Sequence, residues 1–111
     1  MSRTDVRRLE DVLAAAAAIT HHLERGPLED GLVFDAVRVR LIEIGEAVKA
    51  VSDEVRSLAP DVPWKDVAGM RDVLAHRYFD ASHGIVDHTV RHDLPELVDA
   101  VRRLLADPAT H

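Results

Sequence analysis

Between Phe34 and Leu58, apolar side chains recur in alternating steps of three and four: Phe34, Val37, Leu41, Ile44, Val48, Val51, Val55 and Leu58. That period puts them on one face of an α-helix and does not suit a strand, whose faces alternate at every second residue. A helix this long must bury its stripe against other elements. No run of alternating β-branched residues elsewhere in the chain offers a sheet. The pattern therefore predicts an all-α protein, with a long central helix from about Asp30 to Ser57.

Proline and glycine divide the rest into further helices. Helix one is expected from about Thr4 to Arg25, capped by Ser2 or Thr4 and stopped by Gly26-Pro27. Its stripe reads Val6, Leu9, Leu13, Ala16, Ala17, Thr20 and Leu23. Pro60-Asp61-Val62-Pro63 ends the central helix, and helix three begins near Pro63, a residue suited to the first helical position. Trp64, Val67, Leu74 and Tyr78 share one of its sides. Asp80-Ala81-Ser82-His83-Gly84 reads as a polar turn. Helix four is expected from Ile85 to Leu105, divided by Pro95, with Leu94, Leu97, Val98, Val101, Leu104 and Leu105 as its apolar face. Short connections between four helices predict an antiparallel four-helix bundle, with a short extra helical piece before or within helix four. Residues 1–111 form a single domain on this reading. Gly45, mid-helix at a cost of about 1 kcal/mol relative to alanine, reads as a point of close backbone packing. Val39 and Ile42 lie off the stripe and leave a second face for a dimer.

Composition removes several function classes. There is no cysteine, which excludes disulfides, thiolate zinc sites and a cysteine nucleophile, and fits a reducing cytoplasm. The longest apolar run, Val12 to Ile19, is mostly alanine and falls short of the roughly 20 residues a membrane span needs. Glu10 and Asp11 break any likeness to a signal peptide, so no membrane association is expected. A net charge of −6 argues against general coating of nucleic acid but leaves room for a local basic cleft. Arg38, Arg40, Lys49, Arg56 and Lys65 could line such a cleft.

The residues that carry chemistry are concentrated in Arg71-Asp72-Val73-Leu74-Ala75-His76-Arg77-Tyr78. Arginine stabilises developing phosphate charge, and histidine moves protons near neutral pH. Together they meet two requirements for cleaving RNA without a metal. At about 100° per residue, Arg71 and Tyr78 point within about 20° of each other, whereas His76 points about 140° from Arg71. One unbroken helix cannot aim Arg71 and His76 at a single phosphate. Either the helix unwinds near His76, or a second subunit completes the site in a symmetric dimer cleft.

The chemistry such a pair supports is attack of the RNA 2′-hydroxyl on the adjacent phosphorus with expulsion of the 5′-oxygen. His76 would serve as base or acid, and the planar fork of Arg71 would hold the non-bridging oxygens. Asp72 could orient either group. DNA lacks the nucleophile and would be inert. His88 and His92 are four apart, a spacing able to bind metal, with His83 nearby; no Glu-x-x-His or His-Glu-x-x-His accompanies them, and no metal or cofactor is assigned. A carboxylate such as Glu43 or Glu46 near the cleft could orient Arg71, but packing and solubility explain these two residues equally well.

Four blocks in order carry a resemblance across roughly residues 5 to 105: Ile42-Glu43-Ile44-Gly45-Glu46-Ala47, Val62-Pro63-Trp64, Ala68 through Phe79, and Asp93-Leu94-Pro95. They resemble the HepT-like family of the HEPN superfamily of helical domains. The resemblance implies the toxin of a two-gene toxin–antitoxin system, a metal-independent ribonuclease, and a homodimer with its R-x-x-x-x-H-x-Y motifs at the cleft. It implies an antitoxin partner of the MntA-like kind, a minimal nucleotidyltransferase that transfers AMP from ATP to the motif tyrosine. Carried over by position, Arg71 and His76 match the catalytic pair and Tyr78 the AMPylated residue. Asp72 stands where the family often has asparagine and adds negative charge near a phosphate. AMP on Tyr78 would add bulk and charge beside the cleft and repel RNA.

A second reading is a non-catalytic HEPN module that binds a nucleotidyltransferase or a nucleotide. A third, a purely structural dimerisation bundle, predicts that Arg71, His76 and Tyr78 are all replaceable without effect.

Overall fold

The computed structural model describes residues 1–76 and 79–107. Its order is α1 (Arg3–Arg25), α2 (Gly31–Ala50), α3 (Asp53–Arg56), α4 (Trp64–His76), α5 (Phe79–His88), a π-helical turn (Thr89–Asp93) and α6 (Leu94–Ala106). The result is an all-α bundle, as the apolar period predicts. α2 lies between α1 and α4, packing lengthwise on each, and α6 closes on α1. Among the described residues no helix is long and apolar enough to cross a membrane.

Ser2, not Thr4, caps α1: its Oγ accepts the Asp5 N–H at 3.0 Å. The buried face of α1 is Leu9, Val12, Ala15, Ala16 and Ile19, while Ala17 and Thr20 of the expected stripe are exposed. An alanine-rich helix orients weakly by sequence because each methyl contributes little burial; the larger Leu9, Val12 and Ile19 set the rotation.

Asp30 caps α2, its Oδ1 accepting from Leu32 N at 2.9 Å and Val33 N at 3.3 Å. Phe34, Val37, Leu41, Ile44 and Val48 are buried as the stripe requires. The helix does not run on to Ser57. It stops at Ala50, Val51 is extended, and Ser52 caps the separate α3 through its Oγ to Val55 N–H, 3.3 Å. The cause is a long-range clamp. Buried Asp5 accepts the Ser52 N–H at 2.9 Å with one oxygen and the Ser52 hydroxyl at 2.9 Å with the other. A backbone N–H held by a carboxylate from α1 is not available to continue α2. Val51 and Val55 remain buried across the break, but Leu58 is exposed.

Trp64 opens α4 directly after Pro63, with its indole N–H donating to Ala59 O at 2.9 Å across the loop. Trp64, Val67, Met70 and Leu74 face the core. The segment 80–84, expected as a turn, lies within α5. Asp, Ser and Gly disfavour helix by only about 0.5–1 kcal/mol each, a cost of the size that burial of Val86 against the core offsets. The division expected at Pro95 is a widened π turn just before it, with Pro95 in the first turn of α6. Proline has no N–H for the carbonyl four residues back and its ring crowds that carbonyl; a wider turn relieves both.

Candidate functional site

The site is built where α2 crosses α4. A Cβ added to Gly45 would lie 3.1 Å from Arg71 Cβ and 3.1 Å from Val67 O, so glycine is what lets the two backbones approach there. This is the close packing its mid-helix position suggests. The contact brings Glu46, the next residue of α2, against the Arg71 side chain. Arg71 Nε donates to Glu46 Oε1 at 2.8 Å, and its NH1 donates to Asp72 Oδ1 at 3.2 Å. The hydrogen bond and charge of Glu46, with a smaller contribution from Asp72, hold the Arg71 guanidinium protonated more firmly than an ordinary arginine. Of the two sequence candidates for orienting Arg71, Glu46 does so. Glu43 is turned to Arg40, whose NH1 donates to both its oxygens at 2.8 and 3.1 Å.

His76 is the last residue of α4 and is exposed. The helix is continuous from Trp64 to His76, so Arg71 and His76 leave it about 140° apart. The structure does not bring these two side chains together within one chain, and the helix does not unwind between them. Beside α4 runs a groove of about 510 Å³ bounded by Gly69, Met70 and Val73 of α4 and Gly84, Ile85 and His88 of α5. Arg71 lies on the other side, against α2. Tyr78, the expected AMPylation site, lies outside the described residues.

Of the five basic residues proposed for a cleft, Arg38 meets the motif segment. Its NH1 donates to Leu74 O at 2.6 Å, a carbonyl near the end of the described part of α4. No spacing rule links residues 36 apart in sequence, so only the fold reveals this contact. Arg40 and Arg56 are committed to Glu43 and Asp53, while Lys49 and Lys65 are exposed. The histidines of the α5 region sit apart from Arg71: the His83 ring is stacked on Phe34 with centroids 5.6 Å apart, and His88 and His92 are 4.7 Å apart. Asp5, which the sequence motifs do not single out, is structural rather than part of this site; its place three residues after the Ser2 cap was the available signal.

Chemically, the arrangement offers a guanidinium oriented by Glu46, an exposed imidazole on the same helix, and a second guanidinium bound to the backbone between them. Such groups bind an anion and move a proton; nothing in them requires a metal ligand.

The family model described as "Ribonuclease HepT-like" matches residues 9–104. Among similar proteins, "Putative RNase TTE0752" of Caldanaerobacter subterraneus is 46% identical over 101 residues, covering 87% of this chain and 90% of the relative. "Probable ribonuclease HepT" of Thermococcus cleftensis is 32% identical over 108 residues, covering 94% and 98%. "Putative RNase MJ1216" of Methanocaldococcus jannaschii is 31% identical over 112 residues, covering 96% and 93%. No solved structure matches the chain significantly.

Proposed function

This chain belongs to the HepT-like ribonuclease family, and from that premise we propose that it is a metal-independent endoribonuclease, the toxin of a toxin–antitoxin pair, with Arg71 and His76 as its catalytic residues. The observation that carries the reading is the guanidinium of Arg71, which shares α4 with His76 and is held at 2.8 Å by Glu46 of α2. An unbroken α4 sends the two side chains in different directions, which favours a homodimer whose cleft sets Arg71 of one protomer beside His76 of its partner.

In the reaction, one His76 imidazole takes the proton of the RNA 2′-hydroxyl as that oxygen attacks phosphorus. The P–O5′ bond breaks, and the imidazolium of the other protomer gives its proton to the leaving 5′-oxygen. Arg71 binds the non-bridging oxygens as negative charge grows on them. The products are a 2′,3′-cyclic phosphate and a 5′-hydroxyl. Asp72 shares the guanidinium of Arg71 and tempers its charge. Control is proposed at Tyr78: a minimal nucleotidyltransferase antitoxin joins the AMP of ATP to the phenol oxygen, releasing pyrophosphate, and the added phosphate repels RNA.

The test is cleavage of purified cellular RNA in EDTA by the parent and by His76→Ala. The parent should cut and leave cyclic phosphate ends, and the variant should be inactive with its helical spectrum intact. Equal cutting by both would refute the assignment of His76, and an inert unmodified parent would refute the ribonuclease reading.

A further inference from the structure

Arginine has five N–H donors on a planar fork and a flexible stem with many rotamers. A catalytic guanidinium must be held in one of them, because a misplacement of about 1 Å can cost about 100-fold in rate. In α4, Asp72 is the neighbour of Arg71 in sequence, and adjacent residues of a helix do not face each other; its contact is the longer one, 3.2 Å. The shorter contact, 2.8 Å, comes from Glu46 on α2 to Nε. Glu46 can reach because Gly45 beside it has no side chain, letting α2 approach within contact distance of Arg71 Cβ. The Glu46 side chain is 54% exposed and that of Arg71 41%, so both border solvent where a substrate would arrive. Nε and one NH1 hydrogen are occupied, and among the described residues no partner takes the three remaining donors at the outer end of the fork.

We propose that Glu46 is the positioning residue of the active site, holding the Nε edge of Arg71 so that its outer edge meets the scissile phosphate of RNA. The proposal rests on the ribonuclease reading above. Glu46 acts through its acceptor oxygen, and its negative charge is a cost. The oxygen fixes the fork and so raises the rate of the bound complex, while the charge repels an approaching phosphodiester and weakens RNA binding. The two effects separate by substitution. Glutamine keeps an acceptor oxygen at the same reach and removes the charge, whereas alanine removes both.

The experiment measures kcat and KM on a short fluorogenic RNA for the parent, Glu46→Ala and Glu46→Gln. Alongside it, NMR records exchange of the Arg71 Nε–H with water, assigned through Arg71→Lys. Glu46→Ala should lower kcat by about 10-fold or more and speed exchange of that proton. Glu46→Gln should recover most of the lost kcat, lower KM below the parent value, and keep the Nε–H protected. A merely structural role would move neither KM in Glu46→Gln nor the exchange of one arginine proton. The proposal is overturned if Glu46→Ala turns over as fast as an active parent, if Glu46→Gln is as slow as Glu46→Ala, or if the Nε–H exchanges equally fast in parent and Glu46→Ala. An inert parent refutes the ribonuclease reading instead, and the exchange measurement then still decides whether Glu46 holds Arg71.

Discussion

Replacing Gly45 by alanine sets two effects of similar size against each other. In an exposed helix the change gains about 1 kcal/mol, because alanine loses less backbone entropy on folding. Here the new methyl would stand 3.1 Å from Val67 O, 3.1 Å from Arg71 Cβ and 3.3 Å from Arg71 N. All three belong to α4 close to or within its backbone, so no side-chain rotation relieves them; α4 must move off α2 by a few tenths of an ångström. Inserting a methylene into a tight contact typically costs about 1–3 kcal/mol. The difference is a net loss of about 0–2 kcal/mol, and about 1 kcal/mol is the expectation. For a domain of this size that lowers the melting temperature by about 4 °C. Gly69 is the internal control: it lies inside α4, and a methyl placed on it would meet nothing within 4 Å. Gly69→Ala should stabilise by about 0.5–1 kcal/mol. Urea midpoints of the two variants against the parent make the measurement. A Gly45→Ala protein as stabilised as Gly69→Ala would refute the claim that α2 and α4 meet at this glycine, and with it the basis for the reach of Glu46.

The clamp at Asp5 should make stability depend on acid. Burial pushes its carboxyl up, but hydrogen bonds from the Ser52 backbone, the Ser52 hydroxyl and Ser2 outweigh that and leave it below its ordinary 3.8. A depressed carboxyl stabilises fully above the unfolded value, and the contribution disappears as pH falls through the lower folded value. Asp5→Asn should therefore cost about 1.5–3 kcal/mol at pH 7, with the gap to the parent closing below about pH 4; a gap constant with pH would contradict this. Arg38→Gln removes the charged donor from Leu74 O and should cost about 1 kcal/mol. Amide exchange in α4 around Leu74 should quicken, with RNA cleavage reduced; unchanged exchange there would show that the bond does not hold this part of the helix.

How much is legible in the sequence can be told residue by residue. The stripe from Phe34 to Val48 identifies the buried face of α2 because large aliphatic and aromatic side chains at helical spacing have one face to bury. Arg71 and His76 stand out because their chemistry is carried by residue type, and Gly45 because glycine inside a helix costs stability unless something needs the space. The stripe of alanine-rich α1 gives the wrong rotation, and the composition of 80–84 suggests a turn where the chain is helical. Both rest on preferences of a few tenths to about 1 kcal/mol per residue, which packing readily overrides. The end of α2 is hidden from its own segment because the residue that takes the Ser52 N–H, Asp5, is 47 positions away.

The sequence by itself therefore determined an all-α chain, the inward face of its central helix, and which side chains can do chemistry. Those properties are local: periodicity, capping and functional groups are set by residues a few positions apart. Tertiary structure alone decided that Glu46 rather than Glu43 grips Arg71, that Arg38 reaches the Leu74 carbonyl of α4, and that Asp5 stops α2. Each is a contact between helices, and each depends on how closely and at what rotation two helices meet, which follows from the summed packing of the core and not from any one segment.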